Sequence, residues 1–420
     1  MNIINTLSPP KKWSAVKKIL FRFFFIFCII SIAPIISGIL WPQLIEFTST
    51  YFFGKAVTSH ISGSGDTTYD FYELALKAII AIIAAAVWSI IDRKRNSYNR
   101  LLYWQEVYIR YYLGYFLLVY GLMKIIKLQF SEPLLSQLLI PLGHKSPMGL
   151  AWTFIGFSDT YTIFSGLCEV TAACLLFYRK TRTLGAIVGF GVMFNVFLMN
   201  MSYDIPVKLF SLKLTVLLAF LIGLDYKRLL NVFILNKPVK PQQNRHPFTE
   251  KGANISVQII KGIAILGGFS FMLYNNLNSQ SLYGDAAPKP PMYGIYEVEE
   301  FILNNDTLAP VLNDTIRWRY LVFEKGGNSV VFNMKTGGYD DLEHFIPKVD
   351  TIKKQVSLLS YSDSTQVAKL YYQKRKGNEY IFKGLYKKDS LKIRTIRKDE
   401  KDFLLTNRGF NWINEYPYNR

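Results

Sequence analysis

Apolar residues form long blocks through the first two thirds of the chain and short alternating runs through the last third. Blocks at 19–47, 72–91, 107–127, 158–177, 183–203, 206–226 and 256–275 each reach the roughly twenty residues that a helix needs to cross a bilayer core of about 30 Å. The first, ILFRFFFIFCIISIAPIISGILWPQLIEF, is overlong and is expected to tilt or bend at Pro34. Its length and flanks do not fit a cleaved signal peptide, so it reads as a retained helix. Beyond residue 291 the pattern changes. MYGIYEVEEFIL, TIRWRYLVFE, NSVVFNMK, KQVSLLSY, QVAKLYYQ, EYIFKGLYK and SLKIRTIRK alternate apolar and polar positions, with GG, DS, KGN and KKDS turn signals between strands. These predict an antiparallel meander, most simply a small up-and-down barrel. Its opening Gly294-Ile295-Tyr296 looks like a lipocalin-type start. The closing RGFNWINEYPYNR reads as an edge strand packing Phe410 and Trp412 on the barrel, or else as a contact surface for a partner or for the helices.

The fold class expected is therefore an α-helical polytopic membrane protein of about seven transmembrane helices, followed by a C-terminal antiparallel β-barrel-like, lipocalin-type domain. Residues 1–100 hold two helices and a polar loop with His60, and 101–226 hold four closely spaced helices, the pattern of an antiparallel bundle. A connector spans 227–255, a seventh helix 256–275, an exposed Pro-, Gly-, Ser- and Asn-rich linker 276–291, and the β-domain 292–420.

Charge orients this arrangement. Lys11, Lys12, Lys17, Lys18 and Arg22 precede or open the first block, and Arg93, Lys94, Arg95 and Arg100 follow the second. Arg179, Lys180 and Arg182 follow the fourth, and six more basic residues lie between the sixth and seventh. The facing loops, 49–71 and 128–157, hold only Lys55 and Lys145. The positive-inside rule then predicts an inner-membrane protein with a cytoplasmic N-terminus and a periplasmic β-domain. Basic cytoplasmic loops, which also favour anionic lipid, account for most of the net charge of +19, so a nucleic-acid partner is not expected. Cys28, Cys168 and Cys174 fall inside predicted helices, and no CxxC occurs. They read as small buried residues, which disfavours a disulfide-exchange or zinc centre. Walker, dinucleotide GxGxxG, haem CxxCH and GxSxG motifs are absent, and the four His are scattered, with His144 placed on an outer loop.

Ionisable groups within lipid are costly, so those in the helices are the candidate chemistry. Glu106, Arg110 and Lys124 lie in the third block, Glu169 near the middle of the fourth, and Asn195 and Asn200 in the fifth. Asp204 and Lys208 flank Pro206 at the next turn, with Lys213 a turn and a half into the sixth block. Lys124 either snorkels to the interface or serves a site, and Asp204–Lys208 is either an ion pair closing a hairpin or the rim of an opening. Glu169 needs Lys124 or Lys213 as a partner, or else stays protonated, a state suited to proton exchange with a quinone or substrate. Pro206 suits the first turn of the sixth helix.

Residues 110–226 resemble the DoxX-like membrane proteins. The features that carry the resemblance are Arg110, the run FLLVYGLMKI ending at Lys124, the Gly166–Glu169 step, the basic turn RKTRTLGA and the Asn-rich end of the next helix. SPMGLAWTFIGFS, YDIPVKLFS and the outer β-domain are similar to an extended bacterial subgroup of that family. The resemblance implies association with membrane redox systems, including quinone-linked sulfur oxidation and oxidative-stress complexes. It places any family site at Arg110, Lys124 and Glu169, with Asn195, Asn200, Asp204 and Lys208 as an outer rim. The function expected is an accessory or partner-binding membrane component whose β-domain binds a ligand or protein. The alternative is a quinone-linked oxidoreductase subunit with the redox centre in a separate protein partner. A small-solute transporter is disfavoured, because no inverted repeat or broken helix pair is visible.

Overall fold

The computed structural model describes residues 12–32, 34–59, 62–239, 251–338 and 341–419. His60, His246 and residues 240–250 of the connector lie outside them. In chain order the helices before the sheet are α1 (Ala15–Ile32), α2 (Pro34–Phe53), α3 (Thr68–Ile91), α4 (Asn99–Ile125), α5 (Leu135–Leu139) and α6 (Pro147–Phe157). They continue with α7 (Asp159–Phe177), α8 (Arg182–Ser202), α9 (Lys208–Gly223), α10 (Tyr226–Phe233) and α11 (Lys251–Leu282). Among the described residues, α3, α7, α8 and α11 are long and apolar enough to cross a membrane. The pair α9 and α10, bent by 72°, makes a fifth candidate.

Several predicted boundaries move. The block at 19–47 is covered by α1 and α2, which flank residue 33, outside the described residues, at the point where the bend beside Pro34 was expected. The last long helix overruns its apolar block at both ends and takes up the start of the predicted linker. Its polar NNLNSQSL end reads as loop by composition, yet it is helical. Pro206 lies before Val207, the N-cap of α9, not inside its first turn.

The chain divides into two units, Met1–Gly121 with Gly166–Ile263 and Leu122–Ser165 with Ala264–Arg420. In the first, the Trp13 N–H donates to the Asn96 carbonyl at 3.0 Å, which sets the start of α1 beside the end of α3. Arg22, buried in α1, donates to the Tyr98 hydroxyl (2.7 Å), Ser89 Oγ (2.8 Å) and the Asp92 carbonyl (2.9 Å). A buried guanidinium needs such a full set of acceptors. Small residues let the helices approach closely. A Cβ on Gly121 of α4 would lie 2.9 Å from the Gly166 carbonyl of α7, and one on Gly185 of α8 would lie 2.8 Å from Leu175.

The second unit holds the sheet: β1 (Gly294–Leu303), β2 (Asp306–Thr307), β3 (Trp318–Phe323), β4 (Ser329–Asn333), β5 (Glu343–Asp350), β6 (Gln355–Ser360), β7 (Gln366–Lys374), β8 (Glu379–Tyr386) and β9 (Asp389–Lys398). Neighbouring strands pair antiparallel, and β1 pairs with β9, so β1 and β3–β9 close an eight-stranded barrel with β2 as a spur. The barrel is the predicted one, with β5 as a strand the alternation did not reveal. Pro347 hides it: the β4 pairing ends at Phe345, and beyond it β5 is bonded only to β6, which leaves room for a residue without an N–H. Inward-facing Tyr296, Phe301, Trp318, Phe323, Phe382 and Ile393 fill the interior.

The segment 128–145, expected to be a plain loop, is part of this unit. Leu135 and Ile140 pack on Ile295, Val322, Val330 and Phe332 from outside the sheet. The N–H groups of Leu135 (3.2 Å) and Ser136 (2.7 Å) donate to the buried Glu324 carboxylate. The linker is also engaged rather than free. Asp285 accepts from Lys127 Nζ (3.0 Å) and from the Glu132 N–H (3.2 Å). The closing segment is not an edge strand. After a short α12 (Leu404–Asn407) it is irregular, and Phe410, Trp412, Ile413, Tyr416 and Tyr418 are exposed, Trp412 at 90%. Its sequence alternates too poorly to compete for an edge of a barrel that is already closed.

Candidate functional site: a pocket with a charged end

A cavity of about 500 Å³ lies among helices of the first unit, within the usual range for ligand pockets. Its apolar wall comes from Phe24, Phe27 and Ile32 of α1, Leu74 of α3 and Phe210, Val216 and Leu217 of α9. Asp70, Glu73 and Lys77 of α3, Tyr120 of α4 and Lys213 of α9 supply polar groups. Spacings of three and four residues put the three α3 side chains on one face.

Each charge has a definite environment. Lys77 and Glu73 form an ion pair at 2.8 Å, and the Lys77 ammonium also sits 5.3 Å from the Trp41 ring centre. Asp70 closes the N-terminal cap of α3, accepting from the Thr67 N–H (2.8 Å) and hydroxyl (2.5 Å). The Lys213 ammonium lies over the rings of Phe210 (5.1 Å) and Tyr112 (5.5 Å). Among the described residues no carboxylate forms an ion pair with it.

The rim is built by a long-range clamp. Asp66, in the loop before α3, accepts from the N–H groups of Lys208 (2.7 Å) and Leu209 (2.9 Å), so it caps the start of α9. The Gly65 N–H donates to the Pro206 carbonyl at 2.8 Å. Asp204 has φ +50°, and the Ile205 N–H reaches back to the Asn200 carbonyl at 3.0 Å, which ends α8 in a Schellman turn. Lys208 pairs with Asp204 at 2.8 Å. The hairpin ion pair weighed from sequence is present, beside the pocket lined by Val207 and Leu209.

The remaining candidates each have surroundings of their own within their unit. Asn200 is buried and donates to Ser211 Oγ at 3.0 Å, tying α8 to α9, whereas Asn195 is exposed. Glu169 is buried in α7, within electrostatic range of the pocket residue Tyr120. Lys124 is buried at the end of α4, in the second unit. Arg110 holds the carbonyls of Leu176 (2.8 Å) and Phe177 (3.3 Å) at the end of α7, about two turns from Glu169. It belongs to a buried network. Arg182 pairs with Glu106 at 2.6 Å and with Asp225, which also accepts from Thr183. Asp225 is absent from the sequence candidates, as are Lys77 and Glu73. Their four-residue spacing inside an apolar helix was the available signal.

A similar curated protein is the uncharacterized protein YwoB of Bacillus subtilis (strain 168), 32% identical over 134 residues, which make up 32% of this chain and 84% of YwoB. The chain belongs to the YwoB family. YwoB carries no assigned activity in its name, and the rest of this chain lies outside the match. No family model matches the sequence, and no solved structure matches it.

Proposed function

We propose that this protein is a multi-pass component of the bacterial inner membrane that acts as an accessory, partner-binding part of a redox or stress-response system. Its N-terminus lies in the cytoplasm and its barrel in the periplasm. The orientation rests on the basic loops, and the redox or stress context on the DoxX-like resemblance. One observation carries the partner-binding role. The barrel interior is filled by its own aromatic side chains, while five large apolar side chains stand exposed between Phe410 and Tyr418. A filled barrel recognises by its exterior, and such a patch marks an interaction surface. The β-domain therefore binds protein rather than a ligand in its lumen.

A photo-crosslinking residue at position 412 in native membranes is expected to give one discrete adduct that the same residue at Lys376 does not. Identical labelling at both positions would sink the role. Impermeant thiol labelling of Lys376→Cys in a cysteine-free background is expected in spheroplasts. Labelling only after lysis would reverse the orientation.

A second reading, the quinone-linked subunit, is favoured by Tyr120, which lines the pocket near the protonatable Glu169. There a partner would supply two electrons, and Glu169 would relay protons to the quinone oxygens. Quinone extracted with the purified protein would support it. Its absence, together with unchanged quinone reduction in a deletion strain, would end it.

A further inference from the structure

The charged end of the helical pocket has an uneven balance of partners. Glu73 is engaged by Lys77, and Asp70 by Thr67. Lys213 has aromatic faces beneath its ammonium and feels both Lys77 and Glu73, but among the described residues no carboxylate lies within ion-pair distance of it. A half-buried ammonium in this state is costly, and an incoming anion would offset that cost. Ser31 adds a second donor: its hydroxyl lies on the pocket wall, shielded from solvent, and bonds to nothing among the described residues. Beyond the charged end the wall is aliphatic and aromatic, and α3 and the α9–α10 pair that contribute to it are apolar enough to cross a membrane.

We propose that this pocket binds a single-chain amphiphilic anion drawn from the bilayer. Its carboxylate or phosphate monoester sits on Lys213, with Ser31 as a further donor, and its chain lies along Phe24, Phe27 and Val216. A neutral headgroup would leave Lys213 unpaired, and a choline-bearing one would bring a second cation to it. The inference goes beyond the accessory role and is tested apart from it.

The experiment uses the full chain in phosphatidylcholine nanodiscs and titrates palmitate and lysophosphatidic acid against monoacylglycerol, lysophosphatidylcholine and a short-chain ubiquinone. At least one anion is expected to bind about tenfold or more tightly than every neutral or zwitterionic ligand. Palmitate alone would identify the carboxylate source, and lysophosphatidic acid alone the phosphate. Lys213→Gln removes the margin, Lys213→Arg keeps it, and Lys94→Gln, exposed and outside the pocket, leaves it unchanged. Should Lys213→Gln fail to fold, Val216→Trp, which fills the apolar part, is expected to weaken the anion by about tenfold. Equal binding of neutral and anionic ligands, tighter binding of the ubiquinone, or full affinity in both Lys213→Gln and Val216→Trp would overturn the proposal.

Discussion

Asp66 is a loop residue by sequence and a helix cap by structure, because its two oxygens take the free N–H groups at the start of α9. Asp66→Ala should cost about 0.5–2 kcal/mol, read as a lowered unfolding midpoint in detergent, while Asp66→Asn retains most of it. Glu169 and Asp204 contrast in the same way. Glu169 is buried and Asp204 exposed, so Glu169→Gln should disturb the protein more than Asp204→Asn. Abundance and thermal unfolding measure this, and equal mild effects would reduce Glu169 to packing. Glu324 gives a pH dependence. Burial pushes its carboxyl above 4.5, and the N–H groups of Ser136 and Leu135 recover only part of the shift. The folded state therefore holds this proton more tightly than the unfolded one. The resulting stability is complete below the ordinary glutamate pKa and is lost as pH rises through the raised value. Glu324→Gln should flatten that slope in unfolding curves taken across the range.

Among elements, the helices of the first unit are spaced by glycine. Gly121→Ala forces a methyl against the Gly166 carbonyl and Val170, and should cost about 1–3 kcal/mol. Gly191→Ala, with open space at its Cβ, should be neutral or slightly stabilising in the same unfolding assay. Equal losses in both would mean that glycine acts there only through the backbone. In the barrel, seven strands were legible because their side chains alternate between a filled interior and the surface. β5 was not, since Pro347 interrupts its alternation and a Gly- and Asp-rich run, TGGYDD, precedes it.

For the molecule as a whole, the barrel does not end where its strands end. Leu135 and Ile140, some 150 residues earlier, cover an apolar strip on its outer face. Residues 292–420 expressed alone should aggregate or unfold earlier than the same barrel fused to residues 128–145, as light scattering and circular dichroism would show. Removal of residues 408–420 should leave the unfolding midpoint unchanged, because those described among them are exposed.

The long apolar blocks, the seven alternating strands and the absence of familiar catalytic motifs are local properties, and the sequence determines them through helix length and side-chain period. It also located the individual charges worth explaining. It could not pair them, since pairing depends on which distant segments the fold brings within a few ångströms. Arg110, placed at a candidate site by the family resemblance, holds the carbonyls at the end of α7. Asp204 and Lys208 were paired as adjacent turns allow, but Asp66 reached α9 across 142 positions. The pocket needed α1, α3, α4 and α9 together, and only tertiary packing decided that Lys77 meets Glu73 while Lys213 faces a cavity beside aromatic rings.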